Sequence, residues 1–267
     1  MKPRTLILRA AGTNCDAETA YAFEQAGSEP RLVHVLRLIE GTEKLDDYQL
    51  LAIPGGFSYG DDISAGRILA SQLAHHLAEH LRRFVEAGKP VIGICNGFQV
   101  LIKTDLLPGA LPGFTGRACT LTQNRRGEFV DRWVRLASAG QHCVWTRGLE
   151  PFDVPVAHAE GRFVTAHPSV LNLLHDRQQV ALTYARPDDS PAGGEFPYNP
   201  NGSEGDVAGI CDSTGLVLGL MPHPERHVTK FQHPAWSGHP EWPEGGPGLA
   251  VFRNAVRHVI EGVGSGV

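Results

Sequence analysis

Val91-Ile92-Gly93-Ile94-Cys95-Asn96-Gly97-Phe98-Gln99-Val100 is the stretch that decides the fold. Residues 91–94 are wholly apolar and rich in β-branched side chains, the pattern of a strand buried on both faces of a parallel sheet. Gly93 and Gly97 flank Cys95 in a Gly-x-Cys-x-Gly arrangement, the thiol counterpart of a nucleophile elbow, and a helix begins over 97–101. A cysteine held there projects from the strand end toward the unpaired N–H groups of a helix start, which favour a thiolate. The competing reading is an inert core cysteine, because cysteine is among the residues most often buried.

Outward from this elbow, apolar runs of the same kind recur at 5–8, 32–35 and 50–53. Helical patterns separate most of them. One runs from Cys15 to about Ala26, with Asn14 as its expected cap, Asp16 and Glu18 in its first turn and Gly27 after its end. Another spans 68–86, with Gly88 and Pro90 marking its exit. This alternation predicts an α/β fold with a mainly parallel central sheet. Beyond Pro108 the rhythm changes to strand candidates at 129–136, 154–158, 163–165, 180–184, 207–210 and 217–221, the last two forming a hairpin across 212–215. A final helix is expected over 249–261, turning Phe252, Val256 and Val259 inward, after a loop at 231–247 dense in Pro, Gly, Trp and His. With no repeat or linker in view, residues 1–267 read as one domain.

Composition narrows the function. A formal charge of −5 offers no broad attraction for nucleic acid or anionic lipid, and no apolar run approaches the length of a membrane span. The run at 5–8 is too short for a signal-peptide core, so the expected compartment is the cytoplasm. Five cysteines, odd in number and widely spaced, suggest neither a disulfide framework nor a zinc pair, consistent with a reducing environment in which a catalytic thiol survives.

A base for that thiol is offered by Met221-Pro222-His223-Pro224-Glu225-Arg226. The prolines favour extended backbone before them, and residues two apart in an extended chain share a face, so His223 and Glu225 are expected to point into one site. Glu225 would then hold one imidazole nitrogen and leave the other to serve Cys95. At the end of another strand, Gly55 and Gly56 allow close backbone approach, and the Gly56 N–H is expected to join the Asn96 N–H as an oxyanion hole. The bland alternatives are a rigid surface turn and an ordinary Gly-Gly turn.

Together these segments resemble the triad class of glutamine amidotransferases, and within it the glutaminase subunits of phosphoribosylformylglycinamidine synthases. Further landmarks carry the resemblance: Gly12-Thr13-Asn14-Cys15-Asp16-Ala17-Glu18, Gly55-Gly56-Phe57-Ser58-Tyr59-Gly60-Asp61, His158-Ala159-Glu160-Gly161 and Tyr198-Asn199-Pro200-Asn201-Gly202-Ser203. It implies a three-layer fold, flavodoxin-like in outline, and hydrolysis of L-glutamine by Cys95, His223 and Glu225. Substrate contacts are implied at Gly55, Phe57, Gln99, Asn199, Asn201 and Ser203, the last three otherwise reading as an ordered turn. The resemblance implies no cofactor or metal in this chain. ATP and Mg belong to a PurL-type synthetase partner, with a small PurS-type subunit as a further partner. Two departures stand out: Asp62-Ile63-Ser64-Ala65-Gly66 lacks the basic residue common after Gly-Asp, and 231–247 is longer than in compact members. Segments 59–66 and 236–242 are the expected partner contacts. Competing readings are a transition-metal site using His76, Glu79, His80, His233 and His239, a cysteine hydrolase of related fold, another amidotransferase's glutaminase, and an interaction protein that has lost its chemistry.

Overall fold

The structure, a computed structural model, describes residues 2–264. Its first half alternates β1 (Arg4–Arg9), α1 (Asp16–Gln25), β2 (Glu29–His34), α2 (Val35–Ile39), β3 (Leu50–Ile53), α3 (Arg67–Gln72), α4 (Ala78–Glu86), β4 (Val91–Ile94) and α5 (Asn96–Lys103). There follow β5 (Cys119–Thr122), β6 (Val130–Ser138), β7 (Phe152–His158), β8 (Arg162–Thr165), α6 (Pro168–Asp176), β9 (Val180–Ala185), β10 (Val207–Cys211), β11 (Val217–Leu220) and α7 (Leu249–Gly264).

One nine-stranded sheet runs in the order β2-β1-β3-β4-β11-β10-β9-β6-β7, and β5 and β8 form a separate antiparallel pair. From β2 to β11 the pairings are parallel. The hairpin of β10 and β11 then reverses the direction and starts an antiparallel extension. This is the three-layer α/β architecture expected, with β11 at its centre and β4 beside it. The strands β3, β4 and β11 are buried at every residue, as parallel strands covered on both faces must be. Phe23 of α1 meets Phe252 of α7 edge to face, ring centroids 5.0 Å apart, and the α3 side of the sheet closes on α5 where Gly66 abuts Val100.

Several local expectations change. Cys15, not Asn14, occupies the cap position of α1, with no side-chain cap bond, because Asn14 is drawn aside against Gly56. Val35 opens α2 rather than extending β2, since the His34 imidazole accepts the Leu36 N–H and caps a new helix. The helical stretch 68–86 is real, but a π-helical turn at Leu73–Leu77 divides it into α3 and α4. Two further elements carry no clear periodic signal in the sequence. β5 is four residues long, and α6 starts at Pro168 behind a His167 cap, an N-terminal signal stronger than its short periodicity. The loop after β11 is strapped down rather than loose: Thr229 bridges Gly245, and Trp133, His233 and Trp242 pack in series with centroid spacings of 4.4 and 5.1 Å. Among the described residues, no helix is long and apolar enough to cross a membrane.

Gly97 shows how tightly the elbow is seated. A Cβ there would lie 1.9 Å from the Ile53 carbonyl oxygen, a backbone atom of β3 that cannot step aside. Gly97→Ala should therefore lower stability by about 1–3 kcal/mol or more through overpacking, read as a fall in the urea midpoint. A midpoint equal to wild type would mean that α5 is free to move away from β3.

Candidate active site

Cys95 sits between β4 and α5 with φ 51° and ψ −105°, a conformation that side-chain-bearing residues rarely adopt. Its N–H donates to the Leu220 carbonyl at 2.8 Å, so the end of β11 holds the elbow in place. Asn96 opens α5, where helix geometry leaves its N–H without an intrahelical acceptor. The Asn96 side chain is committed elsewhere: it accepts from Ser58 Oγ at 2.6 Å and donates to Asp61 Oδ1 at 2.9 Å and Gln99 Oε1 at 3.0 Å. Gln99 in turn donates to the Glu160 carbonyl at 2.6 Å.

His223 follows β11 directly and is fixed by its N–H to the Pro155 carbonyl of β7 at 2.8 Å. Its Nδ1 lies 2.6 Å from Glu225 Oε1, with both side chains withdrawn from solvent. The route to this contact differs from expectation. Pro224–Arg226 form a 3-10 turn, so the pair meets by tight curling rather than by the alternation of an extended chain. Burial works against a charged imidazole here, but the Glu225 carboxylate and the Cys95 sulfur outweigh it and push His223 up to about 10. Its Nε2 is buried with no hydrogen-bond partner.

These groups converge on Gly55. A Cβ built there would lie 2.9 Å from His223 Cε1, 3.2 Å from Cys15 Sγ and 3.4 Å from Cys95 Cβ, so a side chain at this position would wedge them apart. Beside them is a cavity of about 400 Å³, within the range of small-molecule sites. Cys95, His223, Gly56, Phe57 and Gln99 line it, as does Arg226. Gly56 has φ +128°, and the adjacent Phe57 N–H is already given to the Gly12 carbonyl. Of the expected pair of glycines, Gly56 lines the cavity and Gly55 forms the divider behind it.

Asn199, Asn201 and Ser203 do not line the cavity. Their polar groups serve the turn itself and the layer behind it: Asn199 donates to the Ser203 carbonyl, and Ser203 Oγ bonds Asn201 Oδ1. Asn201 reaches the Gly161 carbonyl at 2.8 Å and the Tyr184 hydroxyl at 3.1 Å. The ordered-turn reading fits them better than direct substrate contact. The metal candidates are not brought together either. His76, Glu79 and His80 are exposed on the α3–α4 stretch, while His233 and His239 each pack on the Trp242 ring.

Other cavity residues went unassigned in the sequence. Cys15 and Arg226 are neighbours: Arg226 Nη2 is 3.2 Å from Cys15 Sγ, and its Nε pairs with Glu18 at 2.9 Å. His158 is held by Asn124, whose amide donates to the Glu128 and His158 carbonyls while its Oδ1 accepts the Gly161 N–H. The same Oδ1 is 3.1 Å from His158 Nδ1, which must therefore be the protonated nitrogen. The motifs were visible in the sequence, but nothing local said which of their side chains would turn inward.

Residues 2–259 match the model of the CobB/CobQ-like glutamine amidotransferase domain. The chain belongs to this glutamine amidotransferase family, in its PurQ branch. It is 46% identical over 257 residues to the phosphoribosylformylglycinamidine synthase subunit PurQ of Dehalococcoides mccartyi, covering 96% of this chain and 97% of the relative. The same subunit from Treponema denticola is 46% identical over 241 residues, 85% of this chain and 89% of the relative. Among solved structures, PurLQS from Thermotoga maritima contains a chain that superposes with a TM-score of 0.72 at 32% identity, covering 97% of this chain and 99% of that one. A glutamine amidotransferase role thus rests on family membership and on the convergence of thiol, imidazole and carboxylate.

Burial, with a smaller contribution from His223, pushes the fully enclosed His158 from 6.5 down to about 3. Between those values the unfolded chain binds a proton that the folded chain refuses, so stability is complete above about pH 6.5 and falls as pH drops toward 3. The urea midpoint of the native chain should decline more steeply over that window than that of His158→Gln. Parallel declines would show that His158 accepts a proton without leaving its pocket.

Proposed function

We propose that this chain hydrolyses L-glutamine to L-glutamate and ammonia, and passes the ammonia to a PurL-type synthetase. That partner would use ATP and Mg to convert formylglycinamide ribonucleotide to formylglycinamidine ribonucleotide in purine biosynthesis, with a PurS-type subunit completing the assembly. The observation that carries the proposal is the His223–Glu225 pair at 2.6 Å, whose imidazole lines the same cavity as the strand-end Cys95.

In this reaction the Cys95 sulfur attacks the side-chain carbonyl carbon of glutamine, and the N–H groups of Gly56 and Asn96 receive the developing oxyanion. Such a donor is worth about 3–4 kcal/mol in the transition state. With His223 held up at about 10, the imidazole already carries the proton that departing ammonia requires. Glu225 keeps the ring oriented while that proton leaves. Neutral His223 then takes a proton from water, whose oxygen attacks the glutamyl thioester; the carbon–sulfur bond breaks, glutamate departs, and the free Cys95 sulfur and the protonated imidazole are both regenerated. Gln99 and Phe57 line the cavity and are the substrate contacts retained. Asn199, Asn201 and Ser203 act from behind, holding Gly161 and Tyr184.

The rim offers apolar surface to a partner: Phe57 and Phe129 line the cavity while 50% and 53% exposed, and Ile63 in the adjoining segment is 82% exposed. Closure of a synthetase over this rim would keep ammonia from bulk water. A cysteine peptidase would need a groove for an extended chain, and the cavity of about 400 Å³ suits a small substrate better.

Cys95→Ala should reduce glutaminase turnover by at least about 10⁴-fold while the assembled complex still makes product from added ammonia. Glutamine turnover by the variant at the native rate would reject Cys95 as nucleophile. Loss of product from glutamine with no product from ammonia either would instead point to a different synthetase. Glu225→Gln should lower kcat by about 10³–10⁴-fold with a smaller change in KM, because it leaves the cavity wall intact but mis-sets the imidazole. A KM effect alone would make Glu225 a substrate contact.

A further inference from the structure

Cys15 takes no part in the reaction above, yet it stands beside the residues that do. Its sulfur, a carboxylate oxygen of Glu18, a ring nitrogen of His223 and a carboxylate oxygen of Glu225 all lie within 4.8 Å of one another. Cys15, His223 and Glu225 are 2%, 1% and 0% exposed, whereas Glu18 is partly open to solvent and gives a way in. In one of these residues an oxygen is unsatisfied: Glu225 Oε2 is buried with no hydrogen-bond partner. A buried carboxylate oxygen left bare costs free energy that a cation would relieve.

The donor set is one sulfur, one nitrogen and two oxygens. Calcium and magnesium select oxygen alone, whereas zinc accepts this mixture in a tetrahedron. Bond lengths of about 2.0–2.3 Å put tetrahedral donors roughly 3.3–3.8 Å apart, so the cluster needs to contract by about 1.5 Å at most. Arg226 now supplies the positive charge there, 3.2 Å from Cys15 Sγ and 2.9 Å from Glu18. A metal ion must therefore compete with a guanidinium, and ligation releases two protons to water, that of the Cys15 thiol and that of the His223 imidazolium.

We propose that Cys15, Glu18, His223 and Glu225 form an inhibitory site for a thiophilic divalent cation such as Zn²⁺, loaded in competition with Arg226. Occupancy takes His223 and Glu225 away from Cys95 and stops the proton transfers that glutamine hydrolysis needs. The inhibitory half rests on the glutaminase proposal; the binding half does not.

The test uses the full chain, titrated with Zn²⁺ by calorimetry and with Co²⁺ by absorption. Cys95→Ala should bind one Zn²⁺ per chain with native affinity and keep the thiolate-to-cobalt charge-transfer band. Cys15→Ala should lose that band, and Cys15→Ala and Glu18→Gln should each weaken Zn²⁺ binding by about 10–100-fold. Glu18 is partly exposed, so its variant guards against a folding defect at Cys15. Arg226→Gln should bind Zn²⁺ more tightly. Glutaminase inhibition, scored against each variant's own metal-free rate, should need at least about tenfold more Zn²⁺ in Cys15→Ala. A band lost in Cys95→Ala and kept in Cys15→Ala would overturn the assignment in favour of a Cys95 site, and the absence of saturable binding would overturn it outright. Binding as described with no metal-free glutaminase activity would leave the site standing and sink the function.

Discussion

The Cys95 N–H to Leu220 carbonyl hydrogen bond, 2.8 Å long, joins the two halves of the site. It continues the parallel pairing of β4 with β11, in which Ile94 lies opposite Leu220. On the β4 side the chain must turn at once into α5, which forces Cys95 to φ 51° and ψ −105°. Such a conformation costs of order 1–3 kcal/mol and persists only where the surroundings leave no alternative. Here β3 and β11 enclose β4 on both edges, and Gly97 is pressed against the end of β3. On the β11 side the chain runs straight on to His223. The pairing that strains the thiol's backbone therefore also delivers the imidazole to it.

Around that junction, charge is managed by neighbours rather than by water. Glu225 is wholly buried and spends one oxygen on His223, which lifts the imidazole despite its burial. The next residue, Arg226, turns the other way and binds Glu18 and the Cys15 sulfur of the first helix. Burial first, then the Glu225 and Glu18 carboxylates, push the Cys15 thiol well above its ordinary range, so Cys15 stays protonated. Two buried cysteines, Cys15 and Cys95, face the same divider at Gly55 with different neighbours. His158, also in the wall, is held neutral by burial and by the charge on His223. Asn124 fixes its tautomer.

The second line of support is built from amide side chains. Asn96 and Gln99 form a chain from Asp61 to Glu160 across the cavity floor, and Asn124 and Asn201 brace the strands behind it. Buried amides of this kind hold geometry only when all their bonds are made. That requirement explains why Asn199, Asn201 and Ser203 face one another rather than the substrate. The late loop is secured differently, by the His227 and His233 imidazoles set edge to face against Trp133 of β6.

By itself the sequence determined the parallel half of the sheet, because β3 and β4 are unbroken apolar runs whose ends are marked by glycine or proline. It also singled out Cys95, His223 and Glu225, through an elbow cysteine and a proline-bracketed His-x-Glu, and the fold brings Cys95 and His223 to one cavity with Glu225 bonded to the imidazole. The short strand β5 and helix α6 lack that periodicity, and Asn14 does not cap α1 because it is packed against Gly56. Only the tertiary structure decided that His223 and Glu225 meet through a 3-10 turn, that Asn201 points backward, and that Cys15 stands with Glu18 and Arg226 beside the site. The physical reason is separation: periodicity records which face of an element is buried, whereas the partner of a polar side chain is set by strands and helices that arrive from distant parts of the chain.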